Sequence, residues 1–381
     1  MPLNKSELFD MLADALEGRS FKKIKVGLTV CGSEHPPEVL IGAAKEAARS
    51  LDGVSVVLIG GGEAEGQGIQ WVKAGSLEEA HRIMEQMLDS GELDAAVTMH
   101  YNFPVGVSTV GRVVTPARGK PLLIATTTGT SATDRVTAML KNAVYGIIVA
   151  KALGIENPRL GILNVDGSRQ VERLLKRLSE NGYEINFARS LRPDGGCIMR
   201  GNDLLAGSCD IMVTDTLTGN ILVKVLSAYT TGGDYEALGW GYGPGIGEGY
   251  GRIILILSRA SGAPVVEGAI RYAVELVKGN LLEIASEEFE KLKSAGLYEI
   301  VEELKKAEKT EEKSKVEPPP QKPVTAEIAG IDVLQMEEAV KTLWKNGIYA
   351  ESGMGCTGPV VLVSPEDLKV AVDLLKAEGY L

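Results

Sequence analysis

From residue 24 onward the chain repeats one pattern: a short apolar run, a break rich in glycine or hydroxyls, then an amphipathic stretch of helical period. Apolar runs at 24–30, 54–59, 95–99, 121–125, 159–165 and 210–215 are only five to seven residues long, too short for core helices. They predict buried strands. The stretches 38–50, 77–88, 138–153 and 170–179 carry apolar residues at three- and four-residue steps and predict helices. This alternation predicts an α/β fold, a mainly parallel sheet covered by helices on both faces. In open sheets of this kind ligands bind at the carboxyl ends of the strands, so the loops there hold the candidate site. A chain of 381 residues with 44% apolar content can bury two cores.

Charge and cysteine usage narrow the function. Forty basic residues against 51 acidic ones give a net charge of −11, which offers no electrostatic reason to bind nucleic acid or an anionic membrane. Four scattered cysteines argue for a reducing compartment, and three histidines (His35, His81, His100) without ligand spacing predict no metal site. The first residues form an amphipathic stripe (Leu8, Met11, Leu12, Ala15, Leu16) broken by acids, unlike a signal peptide. A cytoplasmic protein is expected.

Two strand-end loops carry phosphate-like chemistry. One is 100–109, ending in Ser108 and Thr109. The other holds Thr126, Thr127, Thr128, Gly129, Thr130 and Ser131, with Arg112 and Lys120 nearby in sequence. Hydroxyls, backbone N–H groups and a cation are what a phosphate needs. Ordinary turn chemistry accounts for the same residues, and neither loop matches a Walker or dinucleotide fingerprint. After the run 210–215 comes Thr216-Leu217-Thr218-Gly219-Asn220, then Lys224. Asp215, Asn220 and Lys224 there either orient an oxyanion or serve as a helix cap and a solvated cation.

The last third changes character. Residues 265–304 predict helices broken near Gly279 and Gly296, and 305–323 is a charged, proline-ended run that reads as a linker, helical at most at its start. The expected domains are thus a body at 1–304, this linker, and a small α/β module at 324–381. Within the module, Ser352-Gly353-Met354-Gly355-Cys356-Thr357-Gly358-Pro359 is expected to be a glycine-bounded turn between a helix at 333–345 and a strand at 360–363. Ser364-Pro365-Glu366-Asp367 reads as a helix start. Cys356 is either a small buried residue or a reactive thiol near backbone N–H groups.

Three segments in order carry a resemblance: 32–39 (Gly-Ser-Glu-His-Pro-Pro-Glu-Val), 153–164 (Leu-Gly-Ile-Glu-Asn-Pro-Arg-Leu-Gly-Ile-Leu-Asn) and 210–224. With the glycine-rich stretch 239–247, they resemble the phosphate acyltransferases of phospholipid synthesis, which phosphorolyse an acyl thioester. Departures at Ser33-Glu34-His35 and at His100-Tyr101-Asn102-Phe103 separate the chain from the enzymes that use a long-chain acyl carrier. A body of this type joined to a Gly-Met-Gly-Cys-Thr-Gly-Pro tail is similar to the alpha subunits of component C of the glycine/sarcosine/betaine reductase complex. The resemblance implies an oligomeric complex of amino-acid fermentation with a beta subunit and a carboxymethyl-carrying selenoprotein A as partners. It implies an acetyl thioester on Cys356 and inorganic phosphate as substrate, with no cofactor. Phosphate is then expected among Ser108, Thr127, Thr128, Gly129, Thr130, Ser131, Asp215, Thr218, Gly219, Asn220 and Lys224. A free-standing phosphate acyltransferase and a non-catalytic scaffold are the alternatives.

Overall fold

The computed structural model describes residues 23–62, 68–193, 195–313, 317–331, 335–355 and 358–381. Contacts divide the chain into two compact units, Met1–Val301 and Glu302–Leu381.

The first unit is built on one twelve-stranded sheet. Its strands are β1 (Ile24–Thr29), β2 (Val54–Gly60), β3 (Ile69–Lys73), β4 (Ala95–Thr98), β5 (Ser108–Val114), β6 (Pro121–Gly129), β7 (Arg159–Leu163), β8 (Asn186–Phe187), β9 (Ile198–Met199), β10 (Ile211–Val213), β11 (Gly243–Ile246) and β12 (Ile254–Ile256). The helices are α1 (Pro37–Ser50), α2 (Leu77–Asp89), α3 (Arg135–Ala152), α4 (Ser168–Glu180), α5 (Gly201–Ala206), α6 (Thr216–Ala228), α7 (Ala263–Lys278) and α8 (Leu281–Ser294), and α9 (Leu297–Lys313) runs from this unit into the second. The spatial order is β3-β2-β1-β4-β12-β11-β5-β6-β10-β7-β8, with β9 also on β7. The block β3 to β12 is parallel throughout, as is the block β6, β10, β7 with β8 and β9. Only β11 and β5, antiparallel to their neighbours, join the two. The sheet is therefore mainly parallel, as the alternation predicts.

Burial explains the element types. Every residue of β2 is buried, so both faces of that strand are covered. Val57 and Ile59 pack with Ala80 and Met84 of α2, which starts at Ser76, whose hydroxyl accepts the Glu79 N–H. The helices after 263 break where Gly279 and Gly296 stand. Asn280, between α7 and α8, adopts φ 52°, a left-handed conformation that asparagine tolerates.

Strand reaches into both expected loops and into the glycine-rich stretch 239–247. Ser108 opens β5, β6 continues through Thr126, Thr127 and Thr128 to Gly129, and Gly243–Ile246 of the glycine-rich stretch is β11. The physical reason is close strand approach. A Cβ at Gly243 would lie 1.7 Å from the Val110 carbonyl oxygen, so the central strand here demands a residue that propensity assigns to turns.

The second unit holds β13 (Ala326–Ala329), α10 (Met336–Lys345), β14 (Ala350–Gly355), β15 (Gly358–Val363) and α11 (Leu368–Ala377). Its antiparallel sheet runs β13-β15-β14 over a core that includes Ile328, Leu343, Val361 and Leu375. The expected turn at 352–359 is thus mostly strand: β14 pairs with β15 from Ala350↔Val363 to Gly355↔Gly358. A Cβ at Gly353 would meet Leu362 at 2.8 Å and one at Gly355 would meet Val360 at 2.9 Å, so these glycines serve cross-strand packing. Cys356 and Thr357 lie outside the described residues. The helix start at Ser364 is displaced. The Ser364 hydroxyl accepts the Asp367 N–H and donates to its carboxylate, and α11 begins only at Leu368. Among the described residues no helix is long and apolar enough to cross a membrane.

Candidate active site

Helix α6 is anchored at its N-terminus by Asp215. The carboxylate accepts the Thr218 N–H at 3.0 Å and the Thr218 hydroxyl at 2.7 Å, with Arg135 at 3.9 Å. Burial works against ionisation of Asp215. The two Thr218 hydrogen bonds and Arg135 outweigh it and hold the carboxyl below its ordinary range. One turn on, α6 comes against β6 so closely that a Cβ at Gly219 would stand 1.8 Å from the Thr126 carbonyl oxygen. That approach lets the Asn220 amide donate to the Thr127 carbonyl at 3.0 Å. Asp215, Thr218 and Gly219 thus build the helix start rather than line an open space.

The threonine run is divided in the same way. Thr109, Thr126 and Thr127 are fully buried. The Thr127 hydroxyl donates to the Tyr242 carbonyl at 2.7 Å and lies 2.6 Å from the Thr109 hydroxyl. Ser108 and Ser131 both donate to the Asn142 side-chain oxygen, at 3.1 and 2.7 Å, while the Asn142 amide donates to the Thr214 carbonyl. These hydroxyls tie β5, β6 and α3 together. Gly129 turns with φ +83°, and Thr130 exchanges backbone hydrogen bonds with Gly106 and Val107. Arg112 points elsewhere, paired with Glu275 at 2.5 Å under the Trp240 ring.

What remains converges on one cavity of about 250 Å³. Thr128, Asn220 and Lys224 line it from the β6–α6 side, His100 from the end of β4, and Ser258 and Arg259 from the end of β12. Both parallel blocks of the sheet therefore contribute strand-end residues. Lys224 is half-exposed, donating to the Ser258 hydroxyl at 2.7 Å and pairing with Glu236 at 3.0 Å. Arg259 is exposed, and its backbone carbonyl is held by the Glu34 N–H and the Ser33 hydroxyl. An arginine, a lysine, an amide and two hydroxyls around a space this size suit a phosphate-sized anion.

Of the residues expected at a phosphate site, the structure brings Thr128, Asn220 and Lys224 to this cavity. His100 was legible only as part of a loop, and Ser258, Arg259 and Glu236 were missed. The signal for Ser258 and Arg259 is present: Ile253 to Leu257 is another apolar run, followed by Ser-Arg-Ala-Ser-Gly at a strand end. Among the other cysteines, burial and the nearby Glu172 raise the Cys197 thiol to about 11. Burial first, then Asp210, raises Cys209 to about 12. Among the described residues no group of three or more His, Cys, Asp or Glu is placed to hold a metal ion.

The fold, with strand-end loops of two parallel blocks around a polar cavity, fits the relationships of the sequence. The chain belongs to the family described as Fatty acid synthesis protein, whose model matches residues 24–362. It is 57% identical over 375 residues to the glycine/sarcosine/betaine reductase complex component C subunit alpha of Peptoclostridium acidaminophilum, covering 98% of this chain and 97% of that one. It is 25% identical over 236 residues to the phosphate acyltransferase of Thermotoga petrophila, covering 54% of this chain and 68% of the relative. A branched-chain phosphotransacylase structure from Enterococcus faecalis V583 superposes with a TM-score of 0.44 at 15% identity, over 67% of this chain and 99% of that one.

Proposed function

We propose that the chain transfers an acyl group from a thioester to inorganic phosphate, acting as the acetyl phosphate-forming alpha subunit of a glycine/sarcosine/betaine reductase component C. The observation that carries this reading is the cavity itself, with Lys224, Arg259, Asn220, Thr128 and Ser258 converging at the strand ends. The identity of 57% along 98% of the chain to a component C alpha subunit supports the choice of complex.

In this reading Cys356 carries the acetyl thioester, delivered from a carboxymethyl-carrying selenoprotein partner. A phosphate oxygen, already anionic, attacks the thioester carbonyl. The new C–O bond forms a tetrahedral oxyanion, the C–S bond breaks, and the thiolate leaves with its electron pair. The cavity's task is to hold phosphate and to stabilise the oxyanion with N–H and O–H donors, and the reaction takes inorganic phosphate as a substrate and needs no cofactor. Residues 305–323, of which those up to Lys313 continue helix α9, act as a tether between the body and the module at 324–381, letting the thiol serve a partner and the phosphate site in turn. On the outer side of α6, Leu217, Ile221 and Val225 are exposed at four-residue steps, with Tyr229 just past its end. An apolar row of this kind suits assembly with a beta subunit.

The test is Lys224→Ala. It removes a charge-assisted contact, so phosphate-dependent release of acetyl phosphate should fall by about 1.5–3 kcal/mol in transition-state stabilisation. Acylation of Cys356, which needs no phosphate, should be unchanged. A variant that blocks acylation but leaves phosphorolysis intact would move the phosphate site elsewhere.

A further inference from the structure

Glu236 is fully buried, yet its side chain is charged-type and sits directly behind the cavity. Its backbone is fixed on both sides: the Glu236 N–H donates to the Ala260 carbonyl at 2.9 Å, and its carbonyl accepts the Gly262 N–H at 2.9 Å. Its carboxylate is surrounded by donors. Oε1 accepts the Tyr242 hydroxyl at 2.9 Å and lies 3.0 Å from Lys224 Nζ, while Oε2 accepts the Ser261 hydroxyl at 2.7 Å. Burial, and then this neighbouring carboxylate, push the Tyr242 phenol well above its ordinary value, so it stays a neutral donor.

The pair is asymmetric. The Glu236 side chain is 1% exposed and that of Lys224 is 49% exposed. Lys224 is the ion-pair partner of Glu236 among the described residues, so the buried charge is offset from the cavity side only. A buried carboxylate without its cation is strongly unfavourable, which keeps the ammonium seated against it. An ammonium has three N–H donors. Glu236 and Ser258 take two of Lys224's, leaving one for a ligand in the cavity.

We infer that Glu236 is a positioning residue for phosphate use: held by Tyr242 and Ser261, it clamps Lys224 against Ser258 so that the remaining N–H meets a phosphate oxygen. This rests on the proposed phosphorolysis and deepens it. Among the described residues the Ser258 hydroxyl gives the lysine a neutral acceptor and Glu236 gives it the opposite charge, so the carboxylate is the stronger hold on a four-carbon stem that could otherwise turn into solvent.

The experiment uses the full chain, acetylated on its thiol, and follows decay of the acyl-enzyme against inorganic phosphate concentration. Glu236→Gln keeps the shape and removes the charge. The second-order rate with phosphate should fall roughly 10- to 100-fold, the scale of a lost charge-assisted contact, while the acylation step and the far-UV spectrum match the parent. A purely structural role would lower both steps together or neither. If Glu236→Gln does not fold, Ser261→Ala decides. That variant removes one anchor of the carboxylate and also the acceptor of the Ser258 N–H at 3.1 Å, so a selective fall of roughly 2- to 10-fold in the phosphate step supports the clamp when Tyr242→Phe, which removes the other anchor and leaves that N–H bonded, gives it too. Unchanged phosphate dependence in a folded Glu236→Gln variant, or in Ser261→Ala or Tyr242→Phe where the first does not fold, overturns the inference. If the parent acyl-enzyme decays independently of phosphate, the proposed function fails instead, so the two failures are distinct.

Discussion

Gly219→Ala separates two opposed expectations about α6. By helix propensity alone, glycine to alanine within a helix stabilises by about 1 kcal/mol. The structure gives the opposite sign. The added Cβ would lie 1.8 Å from the Thr126 carbonyl oxygen, 2.9 Å from its carbon and 3.1 Å from the Thr214 methyl. Ordinary contact needs well over an ångström more, and the obstacle is backbone of a central strand. Such overpacking costs about 1–3 kcal/mol. Lifting α6 also stretches the Asn220–Thr127 hydrogen bond, worth about 1 kcal/mol. Setting about 2–4 kcal/mol of loss against the propensity gain of about 1 leaves the variant about 1–3 kcal/mol less stable. Equilibrium urea unfolding monitored on the full chain should show the midpoint moving down. The phosphate-dependent step should weaken as well, because Asn220 and Lys224 move with the helix. A midpoint that rises would refute the close approach and the account of why glycine stands there.

Three further outcomes are expected. Asp215→Ala removes the N-cap of α6 and should cost about 0.5–2 kcal/mol at neutral pH. Because the folded carboxyl titrates below its ordinary value, its contribution is full above about pH 3.9 and is lost as pH falls through the folded value. The difference between parent and variant should therefore shrink in acid, and a difference that grows below pH 4 contradicts the assignment. Native thiol alkylation at neutral pH should leave Cys197 and Cys209 unmodified, since both are buried and raised to about 11 and about 12, and rapid labelling of either by peptide mapping counts against their placement. Limited proteolysis should cut first within 305–323 and release stable fragments on either side; first cleavage inside the body would displace the tether.

The sequence made the architecture legible where local signals agreed. Apolar runs gave β1, β2, β4, β7 and β10, and the glycines at 279 and 296 marked the helix breaks. Asp215 was readable as a cap because its spacing to Thr218 is that of a cap. Other features depend on tertiary approach, which propensity does not encode. Gly243 lies in a central strand because Val110 passes within contact of it, and Thr126 and Thr127 extend β6 with hydroxyls that bond inward to Thr109 and Tyr242. The same threonines in a surface turn would have presented those hydroxyls to a ligand. Glu236 carried no local signal at all: its significance is its burial behind a lysine twelve residues away.

The central claim is that an acetyl thioester on Cys356 is cleaved by phosphate. Mass spectrometry of the peptide carrying Cys356, after loading from an acetyl donor, measures it most directly. The account predicts an acetyl adduct on that peptide alone, disappearing at a rate that rises with phosphate as acetyl phosphate accumulates in equal amount. An adduct on another cysteine, or acetyl phosphate formed at the parent rate by Cys356→Ala, would contradict it.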